Sequence, residues 1–181
     1  PAPNSVGSGY RSWMTPNSRS KLLATGLVGV GAYSMASVSG LFGEANAKAG
    51  KTFKINRTPA EWKKRLGPSR FRILREEGTE RPYSSPLDKE KRKGVFACAG
   101  CNLGLYRSSE KFDSRTGWPS FWAPIHSNRI GISTDRKLGY TRTEVHCARC
   151  GGHQGHIFND GPRPTGKRHC INGLALRFIP A

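Results

Sequence analysis

Apolar residues fall into three regimes along this 181-residue chain. Leu22 to Phe42 runs 21 positions without a charged side chain, but Gly, Ser and Ala make it only weakly apolar. Around residue 60 the spacing is helical, with Trp62 and Leu66 four apart on one face. Thr58-Pro59-Ala60-Glu61 is a capping box with proline at the first helical position. It predicts a short helix to about Leu66, ended by Gly67-Pro68, with a further helical turn or two over Ser69 to Glu76. From Gly94 onward short apolar runs alternate with Gly, Pro, Asn and Asp turns. These predict strands at 95–97, 104–106, 120–122, 142–145, 156–158 and 175–178. Short strands so punctuated indicate antiparallel pairing, so the chain is mainly β.

The pattern divides the chain into an extension over 1–50 and a folded domain over 51–181. Residues 1–21 carry Arg11, Arg19 and Lys21, many serines and no acid, as organellar targeting segments do. The uncharged stretch after them has the length of a transmembrane helix. Ala45-Asn46-Ala47 then offers an A-x-A cleavage pattern. A retained membrane anchor and a cleaved export signal both fit, with the anchor preferred and a structureless leader the third reading. The address expected is an organelle, the chloroplast (thylakoid membrane or lumen) favoured and the mitochondrion the alternative.

Thirty Lys and Arg against 12 Asp and Glu leave a net charge of +18. Such an excess raises the question of nucleic acid. The cations are scattered, without aromatic interleaving or a recognition-helix pattern, so a solvated basic surface is the preferred reading and no nucleic-acid partner is expected.

Cysteine placement changes the picture most. Cys98-Ala99-Gly100-Cys101 and Cys147-Ala148-Arg149-Cys150 are two Cys-x-x-Cys pairs, and Cys170 stands alone 20 residues further on. A two-residue gap lets a tight turn aim both thiolates at one point, so the pairs together fill a tetrahedral Zn2+ site. Four thiolates leave no open position, which makes the expected zinc structural, one per chain. Paired disulfides or redox dithiols are the competing reading. Each first cysteine, however, follows a short β-like run and leads toward a Gly-containing turn rather than a helix. Cys170 has Arg168 and His169 beside it and His153 and His156 upstream. Positive charge and hydrogen-bond donors there favour a thiolate nucleophile over an inert core thiol.

The stretch Arg142 to Pro162, with Cys147-Ala148-Arg149-Cys150-Gly151-Gly152-His153-Gln154-Gly155-His156-Ile157-Phe158-Asn159-Asp160-Gly161 at its centre, resembles the signature of the B-type methionine sulfoxide reductases. Lys167-Arg168-His169-Cys170-Ile171-Asn172-Gly173, Gly117-Trp118-Pro119-Ser120-Phe121 and Gly78-Thr79-Glu80-Arg81-Pro82 extend the likeness from about 58 to 178. The resemblance implies two antiparallel sheets packed as an open barrel, short N-terminal helices and a zinc brace. It also implies reduction of methionine-R-sulfoxide, free or in oxidised proteins. That chemistry needs a nucleophile, an acid beside the sulfoxide oxygen and an apolar pocket for the methyl group. By resemblance Cys170 is the nucleophile, and His153 and His156 supply the acid and orient water. Asp160 then fixes an imidazole tautomer, Arg168 stabilises the thiolate, Asn172 positions its surroundings, and Trp118 and Phe158 line the substrate pocket.

One departure bears on mechanism. Many family members carry a second cysteine just before the Gly-Trp-Pro-Ser-Phe motif, where this chain has Arg115-Thr116-Gly117. With four thiols committed to metal, the sulfenic acid on Cys170 requires an external reductant, whether thioredoxin, glutaredoxin with glutathione or another small thiol. His169 and Gly173 also stand where Tyr and Ser are often found. A rival reading keeps the zinc-braced fold as a non-catalytic accessory subunit of an organellar membrane complex.

Overall fold

The computed structural model describes residues 52–181. The expected span over 22–42, and the extension that holds it, lie outside the described residues. Among the described residues no helix is long and apolar enough to cross a membrane.

Helix α1 (Pro59–Glu76) opens as its capping box dictates. The Thr58 hydroxyl accepts the Glu61 N–H, and the Glu61 carboxylate accepts the Thr58 N–H at 2.8 Å. At Gly67 the backbone turns to φ 68°, ψ 170°, and Pro68 restarts the helix, so α1 is one kinked element rather than two separate short helices. It buries Trp62, Leu66, Phe71, Ile73 and Leu74. It ends at Glu77, in the left-handed conformation.

Among the described residues nine strands follow: β1 (Gly94–Cys98), β2 (Gly104–Arg107), β3 (Lys111–Phe112), β4 (Ser120–Phe121), β5 (Ile130–Asp135), β6 (Arg142–Cys147), β7 (His153–Phe158), β8 (Arg168–Ile171) and β9 (Leu176–Pro180). All pairings are antiparallel. They form a three-stranded sheet, β2-β1-β9, and a six-stranded sheet, β3-β4-β8-β7-β6-β5. No ladder joins the two sheets among the described residues, so they do not close into a barrel, in keeping with the open arrangement expected. Side chains interlock them instead. Phe96 of β1 and Tyr106 of β2 meet Phe121 of β4 at ring separations of 5.0 and 4.4 Å, the latter stacked.

Three strands have no counterpart in the sequence-based prediction, the two-residue β3 among them. Strand β5 alternates weakly, and its Ile132 is exposed on the edge of the sheet. Strand β8 reads Arg-His-Cys-Ile, with three polar or reactive residues in four, so it carries almost no hydrophobic signal. It is nonetheless held on both sides, by β4 and β7. The expected strand at 120–122 ends at Phe121, and the one at 175–178 begins at Leu176 because Gly173–Ala175 form a 3-10 turn.

Candidate active site and metal centre

The two Cys-x-x-Cys pairs lie at the ends of β1 and β6, and each turns back on itself in the same way. The Asn102 N–H donates to the Cys98 carbonyl at 2.8 Å, and the Gly151 N–H donates to the Cys147 carbonyl at 2.9 Å. Both donors have left-handed backbones, φ 59° at Asn102 and 67° at Gly151, which lets so tight a turn close. All four Sγ atoms lie within 4.8 Å of one another, with Cys98–Cys150 at 3.7 Å and Cys101–Cys147 at 3.5 Å. Disulfide sulfurs sit about 2.05 Å apart, so these are free thiols. Sulfurs on a tetrahedral zinc at about 2.3 Å would stand about 3.8 Å apart. The donor set therefore fits a metal ion. Crowding also splits the thiols' ionisation. Hydrogen bonds, chiefly from Cys147, push Cys101 far down, while Cys101 pushes Cys98 and Cys150 up. A bound cation would let all four ionise together.

Helix α1 covers this end. Arg65 donates to the Gly100 carbonyl at 3.0 Å and Arg75 to the Cys150 carbonyl at 3.0 Å. Arg149 reaches across to the Cys101 carbonyl at 3.4 Å. Part of the basic excess thus serves the metal knuckles.

Cys170 sits in β8 directly opposite His156 of β7, and on its other side opposite Ser120 of β4. Directly opposed residues place their Cβ atoms about 4.5–5.5 Å apart on one face. The close approach of β7 to β8 requires glycine at 155, because a Cβ there would collide with the Cys170 carbonyl. A cavity of about 130 Å³ opens at this face, lined by Thr79, Trp118, Arg142, His156, Phe158, Cys170 and Asn172. Trp118 is anchored by its indole N–H on the Glu80 carbonyl at 3.2 Å. Asn172 accepts the Glu80 N–H at 3.0 Å and donates to the Gln154 carbonyl at 3.1 Å. The Glu80 carboxylate in turn accepts the N–H groups of Gly173 and Leu174, just beyond β8. Burial pushes the Cys170 thiol up, opposed by the positive charge of Arg168.

The expectation for Asp160 is corrected by the geometry. Asp160 holds no imidazole; it takes Arg168 in a fork of two 2.9 Å bonds. The imidazoles are oriented by two carboxylates that the sequence reading missed. His153 Nδ1 pairs with Glu144 at 2.9 Å, and His156 Nε2 pairs with Asp135 at 2.8 Å. Burial resists ionisation of Asp135, but the Lys137 N–H, His156 and Arg142 outweigh it and hold the carboxyl at about 2. Burial lowers His156, so it is neutral near pH 7 and donates Nε2–H to Asp135. Glu144 left one faint signal, since acid and base alternate at Arg142 and Glu144 within a predicted strand. Asp135 lies 21 residues from His156, where no local pattern reaches.

His153 lies behind His156 at a ring separation of 5.4 Å and does not line the cavity. Residues three apart on a regular strand face opposite ways. Here the β6–β7 register slips, with Gly155 opposite Val145 but His153 opposite His146, so Gln154 is an extra residue on β7. This bulge brings the two rings together. It also sends the Gln154 amide toward the metal centre, 3.6 Å from Cys98 Sγ. Arg168 lies over the Phe158 ring at 4.4 Å.

The SelR domain matches residues 66–180, more than half the chain. The chain is 45% identical over 126 residues to the peptide methionine sulfoxide reductase MsrB of Leptospira interrogans, covering 70% of this chain and 96% of that one. It is 49% identical over 124 residues to the protein of the same name from Methanosarcina barkeri, 68% and 87% of the two chains. The Agrobacterium fabrum protein of that name is 46% identical over 127 residues, 70% and 94%.

The chain belongs to the B-type methionine sulfoxide reductase family. Within that family's framework, the cavity at Cys170 and the four-cysteine cluster are separate constructions joined by β6 and β7. At about 3.4 Å per residue, Arg142 at the cavity and Cys147 at the cluster stand about 17 Å apart along β6.

Proposed function

We infer that this protein reduces methionine-R-sulfoxide, free or in oxidised proteins, through Cys170. The observation that carries the reading is the shared cavity: a thiol opposite an oriented imidazole, beneath an apolar wall of Trp118 and Phe158. The Cys170 thiolate attacks the sulfoxide sulfur, forming an Sγ–S bond, while water oriented by the His156 imidazole gives the oxygen a proton. The hydroxyl then moves to Sγ as the substrate S–O bond and the new Sγ–S bond break, so methionine leaves reduced and Cys170, oxidised by two electrons, keeps the oxygen as a sulfenic acid. Arg168 stabilises the thiolate and is itself held by Asp160. Asn172, with Glu80, fixes the end of β8 and the height of Trp118.

Thr116 stands where a resolving thiol would be needed, and the four remaining cysteines belong to the metal cluster. An external thiol therefore attacks the sulfenic sulfur and releases water, and a second thiol equivalent frees Cys170 as the thiol while forming the reductant disulfide. Zinc is the metal proposed for Cys98, Cys101, Cys147 and Cys150, where it would brace the fold without entering the reaction. The composition of residues 1–50 supports delivery to an organelle, the chloroplast favoured, with 22–42 as anchor.

The test is turnover of stereochemically pure sulfoxide peptides with dithiothreitol. The R epimer should be consumed and the S epimer left, and Cys170→Ser should abolish turnover. Full activity in Cys170→Ser refutes the mechanism. A folded, metal-loaded but inactive wild-type protein would turn the reading toward a non-catalytic accessory subunit.

A further inference from the structure

Tyr83 is a bulky residue with a left-handed backbone, φ 61°, and 63% of it is nevertheless exposed. That conformation is costly for a large side chain and persists only where the surroundings enforce it. Here they do. The Tyr83 N–H donates to the Gly117 carbonyl at 2.7 Å, and the Tyr83 hydroxyl donates to the Arg115 carbonyl at 2.7 Å. Gly117 is itself left-handed, φ 86°, and a Cβ there would collide with the Tyr83 nitrogen and ring edge. The ring is therefore clamped against the loop that carries Trp118. Burial is not what the strain secures, because the ring is left in solvent.

The place of that ring gains meaning from the size of the cavity. At about 130 Å³ the cavity is close to the roughly 150 Å³ void that holds one benzene molecule, so it takes a methionine sulfoxide side chain and leaves the backbone outside. The rest of a polypeptide substrate must lie across the rim. On an extended chain the side chains two positions from the sulfoxide point the same way and stand about 7 Å from it. Trp118 is part of the cavity wall, Gly117 precedes it, and Tyr83 is bonded to Gly117. Tyr83 is thus the exposed aromatic group next in line from the wall. It also lines a groove of about 810 Å³, with Phe112 and both signs of charge, Lys111 and Arg115 beside Asp88 and Asp113. A groove of mixed sign favours no strongly charged ligand and suits a near-neutral polypeptide backbone. Tyr83, Gly117 and Trp118 link this groove to the cavity.

We propose that Tyr83 is a docking ring for the polypeptide around the oxidised methionine. It packs on an apolar or aromatic side chain two positions from the sulfoxide, and the groove takes the flanking chain. This role rests on Cys170 being the sulfoxide-reducing nucleophile, and it narrows the substrate to extended, unfolded polypeptide. Tyr83 touches the neighbours of the reacting side chain and not the reacting atoms, so it sets specificity.

The measurement is calorimetric binding of R-sulfoxide peptides to the metal-loaded full chain carrying Cys170→Ser, which leaves the sulfoxide intact. The peptides place Phe or Ser one or two positions from the sulfoxide, on either side. Phe two positions away should bind about tenfold tighter than Ser, the scale of an aromatic pair with the apolar area it buries. Phe one position away should give no such gain. Tyr83→Phe should keep the preference because the ring remains, and Tyr83→Asn should erase it. Asn tolerates a left-handed backbone, so the turn survives the substitution, and Tyr83→Gly gives the same reading should Asn fail to fold. An absence of binding, equal affinities with Tyr83 in place, or a preference that survives Tyr83→Asn would overturn the docking role. If Tyr83→Asn keeps the preference and instead raises KM for glutathione in the chain with Cys170, the face serves the reductant and the proposal fails. If the peptides bind as stated but the chain with Cys170 reduces none of them, the functional reading fails and the docking ring stands.

Discussion

The metal end and the cavity end of this domain are built on opposite plans. At the metal end two five-residue turns, each closed by its own backbone hydrogen bond and left-handed residue, present the four thiols. At the cavity end eight lining positions come from segments spread between Thr79 and Asn172, and Trp118, His156 and Asn172 are held by partners distant in sequence. The first plan makes a centre whose parts are local and whose loss is global. The second makes a site whose parts are global, so that single losses there are chemical and leave the fold standing.

The largest effect expected from this contrast is at the metal end. Cys147→Ser should lower metal content and unfold the domain, because binding energy of about 10–16 kcal/mol in structural zinc sites is also folding energy. Metal analysis and thermal melting check this. Cys170→Ser should keep both at wild-type values while removing turnover. A Cys147→Ser protein that melts like wild type would break the comparison.

The next effect is at the imidazole supports. Asp135→Asn removes the charge facing His156 and should lower kcat by about 10- to 100-fold at unchanged metal content. Asp160→Asn should cost less than tenfold, since Asp160 is mostly exposed and holds Arg168 rather than an imidazole. The reverse order would restore Asp160 to the role that the family resemblance implies.

A smaller effect is thermodynamic and pH-dependent. Burial, with help from Lys167, lowers His169 to about 4, and its Nδ1 lies 3.3 Å from the Tyr106 hydroxyl in the core between the sheets. Below about pH 6.5 the unfolded chain binds a proton there that the folded chain refuses, so stability falls as pH falls toward 4. Between pH 6.5 and 5 this loss amounts to about 2 kcal/mol. Urea unfolding should show that slope in wild type and a shallower one in His169→Phe. Last, Arg65→Met should cost about 1 kcal/mol by removing the donor to the Gly100 carbonyl, read as a small fall in melting temperature with metal retained.

How legible each region was follows the same division. The paired cysteines, the capping box at Thr58 and the break at Gly67-Pro68 were readable because turn and helix-end chemistry acts over two to five residues. Most strands were readable where apolar residues clustered, as in Val95-Phe96-Ala97. Strand β8 was not, because its polar residues are stabilised by neighbours on both sides rather than by a hydrophobic face. Asp160 was assigned to an imidazole by resemblance, while the loop it occupies directs it back to Arg168.

The sequence by itself therefore determined the two cysteine pairs that come together, the mainly β class and the family. The tertiary structure alone decided which carboxylates serve His153 and His156, and that the Gln154 bulge brings those rings together. The physical reason is the range of the interactions. Turn closure and metal chelation are set by a few consecutive residues, whereas strand register and buried hydrogen bonds join residues many positions apart, and a slip of one residue reverses which face a side chain occupies.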